Sequence, residues 1–216
     1  MDIVRRWLEG WRLCRGLEPV IEYDDAYAAV LRLPGREREL FARTDDAETV
    51  DRLAAGLTAN TWLTVTTQIG NDIARRLAKA GVRPFEEQKT LMSIKLREHP
   101  LATAELESDG PLNYARVLID GTVAAHGMVA IVGDDAVMHD IQTDPAYRRR
   151  GLGSIVMGAL SRRAIERGAS TGLLMATTDG LHLYRKLGWL PEATMVTASG
   201  DARAVSGDLG AVLTGR

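Results

Sequence analysis

Arg148, Arg149, Arg150, Gly151, Leu152, Gly153 and Ser154 form one unbroken run, preceded by Asp144-Pro145-Ala146-Tyr147. Three guanidinium groups beside Gly-x-Gly can neutralise an anion that also takes hydrogen bonds from the backbone. The run before them, Ala136 to Thr143, is strand-like. After them Leu152, Ile155, Val156, Ala159, Leu160 and Ala164 recur at helical spacing. The loop therefore lies between a strand and a helix N-terminus. Such a place presents unpaired amides and the positive end of a helix dipole. Glycines there let an anion approach the backbone closely. The physical reading is a cradle for a diphosphate. Two common phosphate loops do not fit. A P-loop needs Lys followed by Ser or Thr at the helix start. A dinucleotide fingerprint needs a third Gly where this chain has Val156.

A second run downstream, Thr177-x-x-Gly180-x-x-Leu183-Tyr184-Arg185-Lys186-Leu187-Gly188-Trp189, carries the other candidate chemistry. Strand, Arg-x-x-Gly-x-Gly loop, helix and this second run together resemble the GNAT superfamily of N-acetyltransferases. Its loop pattern is Gln/Arg-x-x-Gly-x-Gly/Ala, and its second motif is Asn-x-x-Ala-x-x-x-Tyr-x-x-x-Gly-Phe. The resemblance implies that loop amides hold the pyrophosphate of acetyl-CoA. Arg148 takes the Gln/Arg position, Gly151 and Gly153 permit close approach, and Leu152, Gly153 and Ser154 offer amides. Arg149 and Arg150 add salt contacts, including to the 3′-phosphate. It further implies a β-bulge that splays the strand before the loop from its neighbour. The pantetheine arm then pairs with backbone groups of Ile141 and Thr143, and an N–H near Ile141 polarises the thioester carbonyl. Tyr184 takes the place of the family's general acid, which protonates the departing thiolate. The bland reading of Tyr184 is a core tyrosine on an amphipathic helix. Thr177 and Gly180 depart from the family's Asn and Ala.

A general base has three candidates, His139, Asp140 and His126, and a water chain would also serve. Strand alternation puts His139 on the same face as Ile141, with Asp140 on the other. Each histidine reads more readily as a structural imidazole than as a base. The four histidines are scattered and the one cysteine, Cys14, has no partner, so no metal is expected.

The elements that must position these groups follow from periodicity and turn signals. Residues 1–16 read as an amphipathic helix with Ile3, Val4, Trp7, Leu8 and Trp11 on one side, docking on the body. Tyr27–Leu33 and Glu39–Arg43 read as strands about a Pro34-Gly35 turn. Asp45-x-x-Glu48 reads as a capping arrangement for a helix with Val50, Leu53, Ala54 and Leu57 inward. Trp62–Thr67 is a strand, 71–80 a helix ended by Gly81, and Leu91–Leu96 a strand with Met92, Ile94 and Leu96 on one face. His99-Pro100 marks a domain boundary. Ala102–Leu106, Tyr114–Ile119 and Thr122–Val132 read as strands, with Ser108-Asp109-Gly110-Pro111 a turn and Asp120-Gly121 a hairpin. The loop helix ends near Arg167-Gly168. Thr171–Thr177 suits a buried parallel strand, Asp179 caps a short helix, and Glu192–Ala198 is the last strand. The order of 63–96 echoes that of 174–198, as a degenerate half-repeat would.

With 216 residues, 27 Lys and Arg against 29 Asp and Glu, and a lone Cys, the composition is that of a soluble globular protein in a reducing cytoplasm. No signal peptide or membrane span is expected. Net charge −2 and the lack of interleaved aromatics argue against nucleic acid. The expectation is therefore an α/β (α+β) fold, a GNAT-like mixed twisted sheet flanked by helices. Residues 1–99 form an N-terminal α/β region, 100–198 the acetyltransferase domain and 199–216 a loosely ordered tail. The resemblance implies direct acetyl transfer from acetyl-CoA to a primary amine, of a small molecule or a peptide, in a ternary complex. The alternative is a non-catalytic acyl-CoA-binding regulatory or interaction module. The N-terminal half would shape the acceptor cleft or mediate homodimerisation.

Overall fold

The structure, a computed structural model, describes residues 2–97 and 103–200. The expected boundary at His99-Pro100, the start of the expected strand at Ala102, and the tail from 201 lie outside the described residues.

The helix expected first is α1 (Ile3–Cys14), capped by Asp2, whose carboxylate accepts from the Val4 amide. It buries Val4, Trp7, Leu8 and Trp11. Two strand pairs follow: β1 (Ile21–Glu22) with β2 (Ala26–Leu33), and β2 with β3 (Arg36–Ala42). Helix α2 (Ala47–Ala55) starts one residue later than the Asp45 pattern suggests. Asp46 is its cap and accepts from the Thr49 amide, while Asp45 accepts from the Thr67 hydroxyl. Then come β4 (Thr61–Thr67), α3 (Gly70–Lys79), the short β5 (Arg83–Pro84) and β6 (Lys89–Lys95). The second half runs β7 (Glu105–Asp109), β8 (Leu112–Ile119), β9 (Thr122–Val132) and β10 (Asp135–Thr143), then a 3-10 turn at Pro145–Tyr147 and α4 (Leu152–Glu166). It closes with β11 (Thr171–Ala176), α5 (Thr178–Lys186) and β12 (Leu190–Ser199). The expected four-residue turn at Ser108 contracts to Gly110-Pro111, because Ser108 and Asp109 pair with Asn113 and Leu112.

All strands join one mixed sheet in the order β1-β2-β3-β4-β12-β6-β11-β10-β9-β8-β7, with β5 beside β12. The echo between the halves has a structural counterpart. β3 is parallel to β4, as β10 is to β11. β4–α3–β6 and β11–α5–β12 then trace the same path, and each sends its last strand into the other half. β12 fills the slot between β4 and β6, and β6 fills the slot between β11 and β12. So β11, expected in a parallel environment, is parallel to β10 over three residues only and antiparallel to β6 along its length.

The alternation along each strand divides the core between two faces. On one face α4 and α5 cover Met92, Ala125, Met138, Leu174 and Trp189, and α2 and α3 cover Leu63, Val65 and Val196. On the other α1 stands alone over Phe41, Leu91, Val137, Leu173 and Met195. Its contact is close: a Cβ built on Gly10 would lie 2.2 Å from Val137 Cγ2. Arg6 also holds Asp135, at the start of β10, through two guanidinium nitrogens. Among the described residues no helix is long and apolar enough to cross a membrane.

Candidate active site

β10 and β11 pair only from Asp135–Thr171 to Val137–Leu173. Beyond Val137 they part, and β11 continues against β6 alone. The cause is visible on the other edge of β10. His139 pairs with Met128 and Gln142 with His126, so Asp140 and Ile141 together oppose Gly127. This is a β-bulge, with Asp140 in the left-handed region at φ 53°. It bends β10 away, so from Met138 onward the strand has no partner in β11, which leaves a slot between them.

The bulge corrects one expectation from alternation. His139 and Ile141 lie on opposite faces, because the extra residue reverses the order of sides. Ile141 packs with the α4-side core, and a Cβ on Gly127 would sit 2.4 Å from its Cδ1 and 2.9 Å from Val156 Cγ1. Asp140 turns toward His126, with Nε2 to Oδ2 at 3.6 Å, on the side of His139. Gly127 is therefore a working part of the site that the motifs do not mark. Its one sequence signal is a glycine inside a strand, which often denotes a bulge or a close approach. Gly127→Ala should displace Ile141 and cost about 1–3 kcal/mol as overpacking, read by urea denaturation.

At the mouth of the slot the chain turns into α4. Asp144 caps the 3-10 turn by accepting from the Ala146 amide at 2.8 Å. Arg148, Arg149 and Arg150 are all exposed; Arg149 has φ 64°, and Arg150 lies over the Tyr147 ring at 5.4 Å. Gly151 caps α4 at φ 79°, with no side-chain hydrogen bond, and a Cβ there would meet nothing within 4 Å. Its glycine serves the turn. The amides of Leu152 and Gly153 open the helix and have no helical acceptor. The Ser154 amide donates to the Gly151 carbonyl at 3.0 Å. Gly153 has a packing role as well: its Cβ would stand 3.1 Å from Leu183 Cδ2 and 3.7 Å from the Thr143 hydroxyl. The loop helix, α5 and the end of β10 thus meet at this point.

Tyr184 is the one buried residue of α5. Burial raises its hydroxyl pKa to about 12, and that hydroxyl has no hydrogen-bond partner among the described residues. Its ring lies 6.2 Å from Trp189. Thr177, not Asp179, caps α5, its hydroxyl accepting from the Gly180 amide at 3.2 Å. Gly180 leaves room for the tyrosine, since a Cβ would come within 3.0 Å of Tyr184 Cε2. The two departures from the family motif therefore sit around the candidate acid and are accommodated there.

His139 is half-buried on the α1 side of the slot. Burial first, then Arg15, holds its pKa down to about 4, with Lys89 adding and Asp140 opposing. The imidazole is neutral at pH 7: free to accept a proton but weakly basic. Because the folded value lies below the unfolded one near 6.5, the unfolded chain binds more protons in between. Stability should accordingly fall as pH drops from about 6.5 toward 4. His139→Gln should flatten that slope in denaturation curves. Among the described residues no group of three His, Cys, Asp or Glu is placed to hold a metal.

Comparison with known proteins agrees with this geometry. No curated protein matches the sequence. Among solved structures, a GCN5-related N-acetyltransferase from Kribbella flavida superposes with a TM-score of 0.63 at 17% identity, covering 97% of this chain and 98% of that one. Another from Sphaerobacter thermophilus gives 0.59 at 14%, over 94% and 93%. A tandem GNAT protein from the clavulanic acid biosynthesis pathway gives 0.52 at 14%, over 83% and 79%. At such identities the likeness is one of fold. Residues 83–189, from β5 to the end of the α5 motif, match the acetyltransferase (GNAT) family. The chain belongs to the GNAT superfamily of acetyltransferases, with its family domain built on the splayed pair β10–β11.

Proposed function

We propose that this protein transfers an acetyl group from acetyl-CoA directly to a primary amine, both substrates being bound together. The observation that carries the reading is the slot between β10 and β11, closed at Val137–Leu173 and opening beside the left-handed Gly151 cap. The residues present fit the cosubstrate. Beyond Val137–Leu173 β10 has no strand partner in β11, so backbone groups of Ile141 and Thr143 can pair with the pantetheine amides. The open Cβ position of Gly151 and the amides of Leu152 and Gly153 suit a diphosphate, and Arg148, Arg149 and Arg150 add charge around it.

The cosubstrate supplies an activated thioester; the other tasks fall to the chain. The slot orients the acetyl carbon toward the α1 side, where an acceptor can enter. A backbone N–H at the bulge, near Ile141, stabilises negative charge on the carbonyl oxygen. As the nitrogen–carbon bond forms, the carbon–sulfur bond breaks and its electron pair stays on sulfur. Tyr184 gives that sulfur its proton and regains one from solvent. The ammonium of the acceptor loses its protons to water or to His139, which is neutral and able to accept one. The products are an amide and free CoA.

The test is calorimetric titration of the protein with acetyl-CoA, followed by an amine screen that reads CoA release. Saturable binding with amine-dependent CoA release supports the reading. Binding without release under any amine would favour an acyl-CoA-binding module, and no binding at high micromolar acetyl-CoA would refute both.

A further inference from the structure

The α1 side of the slot is lined by charge of an unusual kind. Arg15, at the C-terminal end of α1, is half-buried, and its Nε is enclosed with no hydrogen-bond partner. Its guanidinium stacks over the Trp11 ring at 5.3 Å, and no carboxylate pairs with it among the described residues. Lys89, the first residue of β6, is also half-buried and also has no ion pair or hydrogen bond there. Burial first lowers the pKa of both groups, Arg36 lowers both further, and Arg15 also acts on Lys89. Both also act on His139.

The nearby acids do not satisfy these cations. Glu39, buried at 3% exposure, bonds to Arg36 and accepts from the Thr64 hydroxyl at 2.6 Å. Asp140 faces His126 and accepts from the Gln142 amide. Glu87 favours the charged form of Lys89 from outside hydrogen-bonding reach. Cys14 donates to the Val137 carbonyl, and burial holds its thiol near 12, so it adds no anion. Arg15, at the end of α1, and Lys89, two residues before the α1-covered Leu91 on β6, thus lie on the same side of the sheet as His139. A half-buried cation without a partner costs stability, and an anionic ligand would relieve that cost.

From this arrangement we infer that the acceptor is a primary amine that also carries a carboxylate, as an amino acid or small peptide does, with Arg15 and Lys89 holding the carboxylate. This rests on the acetyl-transfer reading above. A guanidinium and an ammonium from two different elements can take the two oxygens of one carboxylate, and neutral His139, on which both cations act, can receive a proton from the amine end. A polyamine or aminoglycoside would bring further positive charge against Arg15 and Lys89.

The experiment compares matched pairs by CoA release: glutamate, leucine, phenylalanine and glycylglycine, each against its C-terminal amide, with spermidine as a polyamine. The wild-type protein should show a kcat/KM at least about tenfold higher for an acid than for its amide, as expected for a charge-assisted contact. Arg15→Met and Lys89→Met should each raise KM for that acid and shrink the acid-to-amide ratio toward one, leaving acetyl-CoA affinity unchanged. Arg15→Lys, which keeps a charge, should retain part of the preference. Equal turnover of acids and amides, preference for spermidine, or no turnover of any acid by protein that binds acetyl-CoA would overturn the inference. Failure to bind acetyl-CoA at all would instead refute the acetyl-transfer reading beneath it.

Discussion

Gly151→Asp should abolish acetyl-CoA binding by calorimetry in a protein that still folds, at a stability cost of about 1–2 kcal/mol. The stability half follows from local geometry. Position 151 has φ 79°, a conformation that Asp tolerates better than most residues. A Cβ there meets nothing within 4 Å, and Asp is a favoured helix cap. The binding half is electrostatic. A carboxylate at the start of α4 would face a diphosphate across the space that the amides of Leu152 and Gly153 are meant to serve. At about 5 Å and an effective dielectric of about 20, each like-charge pair costs about 3 kcal/mol. Loss of affinity should therefore exceed about a hundredfold. Unchanged affinity in a folded variant would show that the cradle lies elsewhere. Gly153→Asp is a poorer probe, because its side chain would collide with Leu183 and confound binding with folding.

Tyr184→Phe is expected to lower kcat by about a hundredfold or more, the lower range for loss of a positioned acid, with acetyl-CoA affinity unaltered. The substitution keeps the ring against Trp189 and Gly180 and removes a hydroxyl that no described residue binds, so little stability should be lost. Burial also fixes the pH behaviour. With its pKa raised to about 12, the hydroxyl stays protonated, and competent as an acid, through neutral and mildly alkaline pH. The wild-type rate should show no fall from this group below about pH 11. A variant with wild-type kcat would return Tyr184 to a packing role and move the acid to solvent.

The parts of the site that lie close together in the chain are legible in the sequence. Leu152, Ile155, Val156, Ala159 and Leu160 announce α4, the Arg/Gly run announces its cap, and Tyr184 sits at a fixed distance from Thr177 and Gly188. These are local signals, set by helical period and turn chemistry. The bulge is expected from the family resemblance but is not legible in the residues of β10 themselves. Asp140 takes a positive φ with no glycine or asparagine to advertise it, and simple alternation then assigns Ile141 to the wrong face. Nor is the pairing of β6. Its residues are visibly strand-like, yet nothing near Met92 says that the strand will lie between β11 and β12. The cluster of Arg15, Lys89 and His139 is assembled from three distant stretches by that same sheet order, so no spacing rule could collect it.

The exchange of last strands between the halves also bears on how the chain becomes a protein during synthesis. Until β12, residues 190–199, is made, the slot between β4 and β6 has no occupant. Its flanking strands expose unpaired edges, the feature that makes partly folded chains prone to aggregate. The N-terminal half cannot therefore finish its sheet as a nascent domain. It must wait for nearly the whole described chain, and a ribosome-held fragment ending before Leu190 would be a client for chaperones.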